Sequence, residues 1–133
     1  MKCTSLIMFS EYNYDNFPYV RVKFNENIQD NKDFKNFLLQ WVNLYNQKEK
    51  FIFIFDTTNV GFVNPKYCFQ MELFIYNLKM KKVQYLRKSY IIVASKIVQN
   101  LLEIIFFLQK PVAPVYLIKE KEDNIQILKT IIP

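Results

Sequence analysis

The chain has 133 residues, is 51% hydrophobic and 17% aromatic, and carries 18 lysine and arginine side chains against 12 acidic ones, a formal charge of +6. That length gives one domain with room for a real core, and the hydrophobic content excludes a disordered tail. With no histidine, one glycine and two separated cysteines, His-based triads, His metal sites, zinc patterns and glycine-rich phosphate loops are excluded, while carboxylate or lysine chemistry stays open.

In chain order, Leu6 to Phe9 reads as a first strand, Tyr12 to Pro18 as a turn, and Tyr19 to Phe24 as a half-buried strand alternating with period two; the two strands are expected to form a hairpin. Asp30 opens an amphipathic helix with Phe34, Phe37, Leu38, Trp41, Leu44 and Tyr45 on one stripe. Phe51 to Phe55 is a short, aromatic and β-branched run, hence a buried strand, which leads through Asp56 and a polar loop to Asn64 and Pro65. Asn64 suits a helix cap and Pro65 the first helical position, so a second helix is predicted from Pro65 to about Met80. Its stripe Phe69, Leu73, Tyr76 and Met80, with the neighbouring Cys68, Met71, Ile75 and Leu78, is expected to face inward, leaving Tyr67 and Phe74 as exposed aromatics.

Tyr90 to Ala94 reads as another buried strand. Ser95 caps a third helix, with Ile97, Leu101, Ile104, Ile105 and Leu108 turned inward and Pro111 and Pro114 ending it. Val115 to Ile118 is a last strand, and Ile125, Leu128, Ile131 and Ile132 suggest a short closing helix. The order ββαβαβαβα implies a single α/β domain over residues 1–133, built on one mixed sheet with an N-terminal hairpin and parallel later strands joined by right-handed helical crossovers. No apolar run is long enough for a secretory leader or a bilayer span. A soluble cytoplasmic protein with reduced Cys3 and Cys68 thiols is expected.

Element order and the stretch Phe51 to Met80 resemble the STAS domain, the fold of bacterial anti-sigma-factor antagonists and of sulfate-transporter tails. In that family an apolar-x-Asp-Ser-Ser/Thr-Gly motif starts the helix after the central strand, and Phe62-Val63-Asn64-Pro65-Lys66-Tyr67 occupies that place here. Asn64 falls on the family's Asp, Pro65 and Lys66 on its two hydroxyl residues, and Tyr67 on its glycine. The resemblance implies a non-enzymatic module that meets a partner protein at this helix start. Because Lys66 stands at the phosphorylated position, the family's phospho-switch is not implied. Leu86 to Ser95, the following apolar helix and Lys110-Pro111-Val112 are similar to a stretch of the CRAL-TRIO domain, which implies the alternative of a small lipid or phosphoinositide binder.

The expected partner contacts are Asp56, Thr58, Asn59, Asn64, Lys66, Tyr67, Gln70 and Phe74, with a homodimer as one form of the contact. Asp56 has a structural alternative, hydrogen bonding to loop amides. Lys79, Lys81, Lys82, Arg87 and Lys88 form a local basic cluster at the end of the second helix and its following turn. They suit an anionic lipid or acidic surface, or simply a helix C-terminus. Scarce alanine and abundant Asn, Lys, Ile, Phe and Tyr point to an AT-rich genome, which accounts for much of the lysine, so nucleic acid is not the expected partner. No catalytic residue, cofactor or metal ligand is assigned.

Overall fold

The computed structural model describes residues 9–25, 30–61 and 63–119. Cys3, Leu6 to Met8, Phe62 and the closing segment at 125–132 lie outside the described residues. The elements are β1 (Ser10–Asn16), β2 (Tyr19–Phe24), α1 (Asn31–Asn46), β3 (Phe51–Asp56), α2 (Pro65–Lys79), β4 (Leu86–Val93), α3 (Lys96–Leu108) and β5 (Val115–Lys119). They form an α/β fold with one mixed sheet in the order β1-β2-β3-β4-β5. The β1–β2 pair is antiparallel and every later pair is parallel.

Each helix start follows from its sequence. Asp30 Oδ1 accepts the Asp33 amide at 3.0 Å, Asn64 Oδ1 accepts the Lys66 amide at 3.0 Å with Pro65 beside it, and Ser95 Oγ accepts the Val98 amide at 3.4 Å. Each supplies an acceptor to an amide that has no partner inside the helix.

Crossovers of one hand, repeated in one direction across a sheet, leave every helix on the same face. The packing agrees. Phe34, Phe37 and Trp41 of α1, Tyr67 and Leu78 of α2 and Val98 of α3 share one core with Val20, Val22, Phe51, Phe53, Phe55, Ile91 and Val93 of the sheet. On the opposite sheet face, Ile54, Tyr90 and Ile92 form a smaller cluster with Tyr19, Ile52 and Ile118 around it.

Three expectations change. A hairpin exists between β1 and β2, and β1 at Ser10–Asn16 covers much of the segment read as a turn, while the strand read at Leu6 to Phe9 lies, apart from Phe9, outside the described residues. Polar side chains are tolerated there because, among the described residues, β1 is an edge strand with most positions exposed, while Tyr12 turns inward to donate its hydroxyl to the Phe37 carbonyl at 2.7 Å. β4 begins at Leu86, four residues before the predicted Tyr90. Leu86 pairs with Phe51 and Lys88 with Ile52, so Arg87 is the extra residue of a bulge, and a charged pair within a strand no longer conflicts with burial of Leu86 and Ser89 on one face.

The third change concerns the helix faces. In α2, Phe69, Leu73, Tyr76 and Met80 are all more than half exposed, whereas Tyr67 is only 4% exposed and Phe74 is half-buried against Trp41 at 5.1 Å. In α3, Ile97, Ile104 and Leu108 are exposed, and the buried positions are Val98 and Ile105. Both helices carry two apolar stripes, and the one seated on the sheet is the one that meets Trp41, Phe34 and Ile91.

Candidate functional site

The loop from Asp56 to Gln70 stands at the carboxyl end of the parallel strands, where α/β folds place binding groups. Asp56, Thr58 and Asn64 are engaged with groups of this same segment. Asp56 Oδ1 accepts the Thr58 amide at 3.0 Å and the Thr58 hydroxyl at 2.7 Å, the turn chemistry expected of Asp. Buried Thr57 donates its hydroxyl to the Ile92 carbonyl at 2.7 Å, which ties the end of β3 to β4. Gly61 does not adopt a left-handed conformation, and a Cβ there would meet nothing within 4 Å, so the turn does not require a glycine.

Of the eight residues expected to meet a partner, Asn59, Asn64, Lys66 and Gln70 are exposed and Asp56 and Thr58 are half-buried. Tyr67 packs on Phe34 at 5.1 Å, with the Lys66 ammonium 5.1 Å from its ring, and Phe74 packs on Trp41. The two aromatics expected at the surface therefore belong to the core.

The exposed apolar groups lie elsewhere. α2 and α3 are adjacent crossover helices running in the same direction, and Lys79 at the end of α2 donates to Gln109 Oε1 just past α3 at 2.7 Å. Their outward stripes culminate at this shared end in Met80, Leu108 and Phe107, which is 86% exposed. Sequence reading missed Phe69 and Phe107 as surface groups. The signal was the doubled apolar stripe itself, since one helix cannot seat both stripes on one sheet.

The same end of the molecule is basic. Parallel topology brings the C-terminal ends of α1, α2 and α3 together with the first residues of the strands. Lys48, Lys50, Lys79, Lys81, Lys82, Arg87, Lys88 and Lys110 are therefore gathered there. Of the five predicted cations, Lys79, Lys81 and Lys82 surround the end of α2. Arg87 and Lys88 lie in β4 rather than in a turn, with Lys88 over the Tyr90 ring at 5.5 Å. Lys50, Arg87 and Lys88 line a shallow groove with Pro18, Phe51 and Ile52. Cations at helix C-terminal ends are favoured by the helix dipole, which accounts for part of the clustering.

No family model matches the chain, and no curated protein or solved structure is similar to it. The site therefore rests on its own geometry.

Where the sheet meets the helix layer lies an apolar cavity of about 170 Å³ that is partly open to the outside, lined by Phe34, Trp41, Phe55, Val98, Leu102 and Ile105 among others. The buried Trp41 indole N–H has no hydrogen-bond acceptor among the described residues. Cys68 also lines the cavity; burial pushes its thiol up from the usual range and the nearby Glu72 carboxylate adds to this, so it is a poor nucleophile. Among the described residues there is no cluster of carboxylate and thiol groups able to hold a metal ion, and no helix is long and apolar enough to cross a membrane.

Proposed function

We propose that this chain is a non-enzymatic interaction module of STAS-like type that docks a partner protein on the outer face of α2 and α3. The element order ββαβαβαβ, on which the family resemblance rests, supports that frame. The observation that carries the reading is the exposure of Phe69, Leu73, Tyr76 and Met80 on α2 together with Phe107 and Leu108 on the adjacent α3. Apolar groups of this size side by side on a monomer mark a contact surface. Lys79, Lys81, Lys82 and Lys110 rim its end, so the fitting partner has an apolar centre and an acidic rim. A second copy of the chain would bring its own basic end, and like charges disfavour that contact.

Phe107 is exposed enough that Phe107→Glu leaves the fold intact. Capture from native cells with both forms, followed by purification of any protein retained by the unmodified chain alone, tests the reading. The expected outcome is a directly binding protein with an acidic surface whose affinity for the variant falls about tenfold or more. Co-sedimentation with anionic vesicles that Phe107→Glu abolishes would assign the surface to a membrane. A homodimer abolished by the same change would assign it to self-association. Either result overturns the reading.

The cavity favours a second reading, the binding of a small apolar molecule. A cavity of about 150 Å³ holds one benzene, so the size suits a single ring rather than a two-chain lipid.

A further inference from the structure

Docking on the outer face of α2 and α3, the reading on which this inference rests, can be taken to the kind of element that fits there. On α2 and its C-cap the exposed apolar residues are Phe69, Leu73, Tyr76 and Met80, separated by four, three and four positions. On α3 they are Ile97, Ile104 and Leu108, and half-buried Leu101 fills the place that completes the same interval. Four and three in alternation is the interval of the seam along which one helix packs on another. Each run keeps to one side of its helix and extends about 16 Å, three turns. The two helices touch directly, with Cys68 and Ile75 of α2 and Ile105 of α3 buried in one cluster. Phe69 and Tyr76 follow Cys68 and Ile75 by one residue, a turn of about 100° in one sense, and Ile104 precedes Ile105 by one, the same turn in the other sense. On parallel neighbours these opposite turns lead to the same side, so the two runs are the banks of one outer groove.

We propose that the partner's docking element is an amphipathic α-helix lying in this groove, with apolar side chains on both runs and acidic side chains at the end that meets Lys79, Lys81, Lys82 and Lys110. A helix pairs its own backbone groups, so it can cover the groove without burying a free amide or carbonyl. An extended segment would bury such groups against helices whose own backbones are already paired. The charge fixes the register. Both runs finish, in Met80 and Leu108, where the four exposed lysines stand. A helix end carrying carboxylates is attracted there, and a basic one is repelled.

Two displayed libraries of peptides of about 18 residues, five helical turns, serve as probes on the unmodified chain. One has an alanine-rich background, and the other is the same library interrupted by prolines that prevent a helix. Peptides should be enriched from the helical library alone, with apolar residues at intervals of three and four and acidic residues gathered at one end. Amide resonances of Leu73 and Ile104 should move when a selected peptide is added, which places the contact without any variant. Leu73→Glu and Ile104→Glu, one on each run and both at positions more than half exposed, should each weaken that peptide about tenfold or more without lowering the unfolding midpoint. Glutamine in place of the peptide's acidic residues should weaken it about threefold or more on the unmodified chain. It should have no such effect on the chain carrying Lys79→Gln, Lys81→Gln, Lys82→Gln and Lys110→Gln. Enrichment from neither library, or from the proline library alone, overturns the helical class; a partner retained from native cells through Phe107 would then leave the docking reading standing. Selected helices that leave the Leu73 and Ile104 resonances in place bind elsewhere and also overturn the proposal. A peptide indifferent to loss of its carboxylates refutes the acidic end.

Discussion

Tyr12 shows how one side chain sets a pH limit on the whole fold. It stands on an edge strand, yet its hydroxyl is directed at the Phe37 carbonyl, and burial holds its phenol far above the ordinary value, with the neighbouring Tyr14 adding to the shift. Burial raises Tyr14 and Tyr45 as well. The native state therefore holds these protons more tightly than the unfolded chain does. Below the unfolded value of about 10 both states are protonated and stability is unaffected; above it the unfolded chain releases protons first, and stability falls as pH rises towards the native value. Thermal unfolding should show a steep loss above about pH 10. Tyr12→Phe should cost about 1 kcal/mol at neutral pH through the lost hydrogen bond, and should show a shallower alkaline fall. An unchanged alkaline slope in the variant would show that Tyr12 is not its source.

At the scale of the element, α1 and α2 mark what a sequence does and does not disclose. α1 has one apolar stripe and a polar opposite face, so Phe34, Phe37, Trp41, Leu44 and Tyr45 were legible as core. β3 was legible to within one residue, and the Asn64-Pro65 start of α2 was legible from capping chemistry alone. The face of α2 was legible only in part: Cys68, Ile75 and Leu78 are buried as expected, but Phe69, Leu73, Tyr76 and Met80 make as regular a stripe and are exposed. The choice between them is made by partners distant in the chain, Trp41 for Phe74 and Phe34 for Tyr67. The candidate docking surface was missed for the same reason. This assignment is checked by paired substitutions. Phe74→Ala should destabilise by about 2 kcal/mol or more. Phe69→Ala should stay within about 0.5 kcal/mol. Chemical denaturation of the two variants measures both, and the reverse order would turn the helix over.

Among the described residues, basic side chains gather at one end of the fold. Lys48, Lys50, Lys79, Lys81, Lys82, Arg87, Lys88 and Lys110 stand at the end where the helices finish and the parallel strands begin, with Glu49 among them. A field of one sign concentrated at one end raises the rate at which acidic surfaces meet it, and salt screens it over about 10 Å at 0.1 M. Polyglutamate should bind and weaken steeply between about 0.05 and 0.5 M salt. Replacing Lys79, Lys81, Lys82 and Lys110 by glutamine should remove most of that dependence. A salt response that survives the four substitutions would place the attraction elsewhere on the surface.

The strand order β1-β2-β3-β4-β5 has a consequence for how the chain comes together. From β2 onward, each described strand pairs with the described strand that precedes it in the chain. A chain emerging from the ribosome can add one β-α unit at a time to an existing edge, with α1 in place over β2 and β3 before α2 is needed. Such an order lets assembly proceed in one direction, each added unit widening the sheet already formed.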